Sequence, residues 1–205
     1  METRIPVEVS QAEEAIREAL ACLPEPLAQR LGPVRFAVRA TDEDVASRWR
    51  RGEAGVEVEV NESEISPHDC ALELLMCLGQ ALWNSESAGE QRAWLELLRE
   101  EIEAGVESDI DEQALREKRA MLSSRILAAS PRRLERYAEV SFAGTMAEYV
   151  HSLWHEVTVQ TGPDYLPLPW LRRRFALFSR WFPAARSTKP GPRRHSCGGL
   201  PRSTR

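Results

Sequence analysis

The sequence predicts a mostly helical α+β fold, with a small sheet packed on a buried central helix and a helical C-terminal part. Three observations lead there. Residues 34–39 and 56–60 alternate apolar and polar side chains with the period of two that marks half-buried strands. Residues 67–84 read as a helix that is apolar nearly all round, which places it in a core. From residue 90 onward, apolar residues recur at helical spacing in one segment after another.

Taken in order, Ser10 caps a short amphipathic helix over 11–21, with Glu13 three residues on and Pro24 and Pro26 ending it. The strand over 34–39 follows, then a turn or two of helix within 42–51, then the strand over 56–60. Ser66-Pro67-His68-Asp69 is a helix start: Ser at the cap, Pro at the first position, Asp at the third. His68 is read as part of that start rather than as a ligand. The only polar stripe on the helix is Glu73, Cys77, Gln80 and Asn84, spaced three and four apart and therefore on one side, which predicts a cleft wall. Further helices are expected over about 90–104, 110–129 and 131–160, with Gly105 stopping the first and Ser108 and Ser130-Pro131 starting the others. Residues 161–164 form a turn, and a short amphipathic helix over 169–182 closes the single domain 1–183. Residues 184–205, rich in Pro, Gly, Arg and Ser, are expected to be a disordered basic tail.

Composition narrows the function classes. With 42% hydrophobic and 29% charged residues, the chain fits a globular protein. No apolar run reaches the roughly 20 residues of a bilayer span. The N-terminus carries no apolar signal segment. The four cysteines show no CxxC spacing, so Cys22, Cys70 and Cys77 read as small apolar fillers in a cytoplasmic protein. No acid follows Asp164, and residues 170–205 hold ten Lys and Arg, leaving 17 basic against 32 acidic residues in 1–169. An acidic body with a basic tail is not the footprint of a nucleic-acid binder. Arg172-Arg173-Arg174 is either an exposed helix face or a site for the acidic side chains of 96–117. There is no phosphate loop, dinucleotide fingerprint or serine elbow.

The strand at 56–60 followed by a buried helix is similar to the cleft of zincin metallopeptidases, in which the helix carries HExxH with both His on one face for zinc. Met76-Cys77-Leu78-Gly79-Gln80-Ala81-Leu82 resembles that helix with its ligands lost: Met76 and Gln80 stand at the two His positions and Cys77 at the Glu. Val140-Ser141-Phe142-Ala143-Gly144 resembles the segment in which anthrax lethal factor-like zincins place the third, carboxylate ligand, with Val140 and Gly144 at its two Glu positions. The resemblance implies a pseudo-enzyme without catalytic residues, metal or cofactor. Its implied role is to bind a peptide or protein partner by adding a strand to an exposed edge at Val56–Val60; the charge balance and the absence of an apolar span argue against nucleic acid and membrane.

Glu148, His151 and His155 share one face of the 131–160 helix and are the remaining candidates for a site. The two histidines at i, i+4 suit a shared metal. Glu148-x-x-His151 resembles half a di-iron carboxylate site but has no second Glu-x-x-His in the chain. The alternative function is a hydrolase with an altered metal or Cys/His site built from Cys77, Glu148, His151 and His155. The aromatic groups Trp83 with Trp94, and Trp170, Phe175, Phe178 and Trp181, read as core and docking surfaces.

Overall fold

A computed structural model describes residues 10–42, 45–63, 65–123, 131–155 and 162–184. Elements run α1 (Gln11–Ala21), α2 (Glu25–Leu31), β1 (Val34–Arg39), β2 (Ser47–Gly52), β3 (Gly55–Asn61), α3 (Pro67–Trp83), α4 (Ala88–Glu103), α5 (Glu112–Ser123), α6 (Pro131–Trp154) and α7 (Leu168–Trp181). The fold is a mostly helical α+β arrangement in which a three-stranded mixed sheet packs against α3. None of the described helices is long and apolar enough to cross a membrane.

Local chemistry sets most element ends. Ser10, Ser66 and Ser87 each accept the N–H three residues on, and Glu90 completes a capping box by reaching back to Ser87. Pro26 does not merely end α1: it occupies the first turn of α2, where its missing N–H costs nothing. The start of α5 is Asp111, whose Oδ1 accepts from Ala114 N–H at 2.9 Å. The expected starter, Ser108, instead turns its carbonyl to Lys118 Nζ at 2.8 Å. Helix α6 ends at Trp154, short of the expected 160, which itself lies outside the described residues, as does all but the first residue of the expected tail over 184–205.

The sheet order is β1-β3-β2, with β1 parallel and β2 antiparallel to β3, so Val56–Val60, expected to be an exposed edge, lies in the central strand with both ladders filled, and β2 takes the edge instead. Val56, Val58 and Val60 turn inward and are fully buried, while Glu57 and Glu59 turn outward between Arg35 and Arg39 on one side and Arg50 on the other. The segment expected to contribute helical turns is strand β2. Its inward face is only Ser47 and Trp49, too little apolar surface for a visible period. Its identity comes from the ladder with β3, where Arg48 and Arg50 stand opposite Glu59 and Glu57.

Helix α3 is covered by the sheet on one side and by α1, α2 and α6 on the others. Leu74, Leu75, Leu78, Ala81 and Leu82 have no solvent exposure. Helices α3 and α6 run antiparallel: Trp83 meets Phe142 at one end, and His68 meets His151 at the other. Between these contacts the backbones approach so closely that a Cβ on Gly79 would lie 2.6 Å from Ala143 Cα. Phe142 then anchors an aromatic cluster with Trp94 and Phe178.

Two outcomes follow for unfolding experiments. Leu75→Ala or Leu78→Ala costs about 2–5 kcal/mol, because neither cavity can be filled from solvent. Gly79→Ala destabilises by about 1–3 kcal/mol despite the higher helix propensity of alanine, because the obstacle is backbone and cannot rotate away.

Candidate functional site

The polar seam of α3 faces β2, and its chemistry is absorbed there. Cys77 Sγ donates to Ser47 Oγ at 3.2 Å, and Ser47 Oγ donates to Glu73 Oε2 at 2.8 Å. Trp49 Nε1 donates to Gln80 Oε1 at 2.8 Å. Asn84 bonds back to the Gln80 carbonyl through Nδ2. The expected cleft wall is therefore roofed by the edge strand, because Ser47 and Trp49 supply the partners the seam needs. Burial, reinforced by the charge of Glu73 against the Ser47 hydrogen bond, pushes the Cys77 thiol up to about 11. The neutral thiol is not a nucleophile at physiological pH.

Met76 is half-buried against the core, and Val140 is fully buried. Gly144 does not face α3. A Cβ there would lie 2.0 Å from Asp111 Oδ2, so this glycine lets the α5 cap sit against α6. Of the two residues placed at the third-ligand positions, Gly144 therefore turns toward α5 rather than the seam, and Ala143 and Phe142 are the α6 residues that meet α3, at Gly79 and Trp83.

What lies above the seam is the outer edge of β2. Asn61 N–H bonds to the Ala46 carbonyl at 2.8 Å, which fixes the ladder phase: 46/61, 48/59 and 50/57 are the hydrogen-bonded pairs. The backbone N–H and C=O groups of Ser47, Trp49 and Arg51 therefore point away from β3. Among the described residues no strand pairs with that edge.

Glu148, His151 and His155 gather at the other end of the helix pair, with a partner that the sequence reading set aside. His68 lies 4.7 Å from His151 and 5.4 Å from His155, ring centre to ring centre, and the latter two are 5.9 Å apart. Trp154 stacks on His68 at 5.2 Å, and Glu148 Oε2 lies 3.2 Å from His151 Nδ1. Burial, then the neighbouring His151 and His155, hold His68 below the usual imidazole range. As the rings stand, no three described His, Cys, Asp or Glu side chains are posed as a metal site. Nine residues of α3 separate His68 from Cys77, about 13.5 Å of helix rise. A Cys77–histidine pair is therefore not formed.

A second polar centre answers the choice left open for Arg172-Arg173-Arg174: two of the three take acidic side chains of 96–117. Arg174, fully buried, donates from Nε and Nη2 to both oxygens of Glu101 at 2.8 and 2.6 Å, and from Nη1 to Asp109 Oδ1 at 2.8 Å. Tyr137 OH donates to Asp109 Oδ2 at 2.5 Å, and Lys118 Nζ lies 3.6 Å from the same atom. Burial favours a neutral Asp109, but Arg174, Lys118 and Tyr137 outweigh it and hold the carboxyl below the usual range. Of the three arginines, Arg173 pairs with Glu100 at the surface and Arg174 takes the buried acids. The centre is closed and charge-balanced, a structural pin. The one signal for it in sequence was an Arg run facing an acidic segment.

Beside it, burial and then Asp109 push Asp111 up to about 6. The folded chain thus holds this proton more tightly than the unfolded chain. The resulting stabilisation is complete below about pH 4 and is lost as pH rises through about 6. Asp111→Asn keeps the cap acceptor and removes the titration, so wild type gains stability relative to the variant as pH falls from 7.5 to 4.5 in urea unfolding. Arg174→Met costs about 3–5 kcal/mol by leaving two carboxylates buried without their partner. No family model, curated protein or solved structure matches this chain.

Proposed function

We propose that the chain is a non-catalytic, zincin-like domain that binds an extended peptide along the outer edge of β2. The observation that carries this reading is the position of that edge: an antiparallel edge strand whose outward backbone groups at Ser47, Trp49 and Arg51 pair with no strand among the described residues, lying directly over the Glu73–Cys77–Gln80 seam. Main-chain hydrogen bonds from such an edge need no metal. The strand β3 leading directly into the buried helix α3, and the packing of α6 against α3 at Gly79, support the comparison with metallopeptidases. Neutral or apolar side chains at 76, 77, 80 and 140 support its non-catalytic part, since zinc requires imidazole, thiolate or carboxylate ligands. The alternative hydrolase built on Cys77 with His151 and His155 loses support from their separation along α3.

The test is amide-resolved NMR of the full chain titrated with a library of extended peptides. Binding peptides shift the Ser47, Trp49 and Arg51 amides first and are recovered uncleaved. Arg51→Pro removes one outward N–H at an edge position where proline is tolerated. It weakens binding at least tenfold while leaving the unfolding midpoint nearly unchanged. Peptide cleavage, or binding indifferent to Arg51→Pro, rejects the reading.

A further inference from the structure

We propose that His68, His151 and His155 form a surface site for one divalent transition-metal ion, zinc above all, with Glu148 as the outer partner of His151. The site is independent of the β2 edge and lies two turns of α3 away from the HExxH-like positions.

The argument starts from how few histidines there are. The chain has four, and three of them, drawn from two helices about 80 residues apart in sequence, meet at one point on the surface. His155 N–H bonds to the His151 carbonyl at 2.9 Å, so the helical path continues through His155 and the two side chains share a face at i, i+4. His68 comes from the opposing helix start to complete a triangle. A tetrahedral ion held at about 2.0–2.1 Å by one nitrogen of each ring sets ring centres roughly 5 Å apart. The three separations of 4.7, 5.4 and 5.9 Å bracket that value.

The ring nitrogens are not yet aimed at one point. His155 is exposed and His68 half-buried, and the ring torsion of histidine is broad; the proposal requires these rings to turn away from Trp154, which lies 4.2 and 5.2 Å from them, toward a common ion. Glu148 against His151 Nδ1 leaves Nε2 as the donor nitrogen, the arrangement by which carboxylates orient metal-binding imidazoles. The negative end of α6 and the nearby Asp69 favour a cation, while the positive end of α3 opposes it. Solvent supplies the fourth ligand on the exposed side. The competing account is that His68 is packing for Trp154 and nothing more.

The experiment uses the untagged full chain, stripped with chelator, and titrated with zinc against a chromogenic competitor and with cobalt by visible absorption. One ion per chain is expected, with the ligand-field bands of low-coordinate cobalt. His68→Gln and His155→Gln each weaken binding at least tenfold, and Glu148→Gln weakens it about tenfold or more. His195→Gln, at the fourth histidine, leaves binding unchanged. Far-UV circular dichroism confirms folding of each variant, and because three variants on two helices report the same site, loss of one fold does not end the test. Substoichiometric binding, affinity unaffected by His68→Gln, or affinity that depends on His195 overturns the proposal.

Discussion

A guanidinium removed from water must place five N–H donors, and Arg174 places them on three separate segments. Glu101 belongs to α4, Asp109 to the connection before α5, and Thr145, 3.3 Å away, to α6. Tyr137 OH of α6 also accepts from Arg174, and Lys118 of α5 lies beside the same two carboxylates. A buried pair of this kind contributes little net stability, because desolvation offsets most of the attraction. What it contributes here is register: α6 can rotate or slide only by abandoning the Thr145 and Tyr137 contacts. With α6 held, Ala143 meets Gly79, and the same alignment carries His151 and His155 to His68.

The consequence for α3 is a helix with two unlike covers. Its α6 side is tight and apolar, closed at the Gly79–Ala143 contact. Its β2 side is polar, bridged by Ser47 and Trp49. Hydrogen bonds across a side-chain interface are easier to exchange than close-packed methyl and backbone contacts. The helix side is therefore where the structure is fixed, and the sheet side carries the edge proposed to take a peptide.

Much of the fold was legible because it rests on local rules. The alternation in β1 and β3, the Ser66-Pro67 start of α3 and the all-apolar surface of that helix each need no knowledge of the rest of the chain. What was hidden depends on distant partners. Strand β2 has too short an inward face to show a period and becomes a strand by pairing with Glu57 and Glu59. Asp111 outcompetes Ser108 as a cap because Gly144, more than thirty residues later, leaves room for it. The seam residues were read on the correct face, but no spacing rule says that Ser47 and Trp49 will cover them. His68 looked like a helix-start residue, and it is one. Its nearness to His151 follows only from the antiparallel alignment of α3 with α6.

That alignment also sets a hazard during synthesis. Strands and α1, its partners on one side, precede or adjoin α3 in the chain, but its cover on the other side ends at Trp154, 71 residues after Trp83. At roughly 5–20 residues per second, the ribosome takes about 4–14 s to deliver it. For that interval the nascent chain carries an uncovered leucine-rich surface, long compared with the roughly 0.1–100 μs in which such surfaces collapse. A chain so built is exposed to chaperone capture and to misassociation while it is still being made, and its yield in a cell is sensitive to elongation rate between codons 84 and 154.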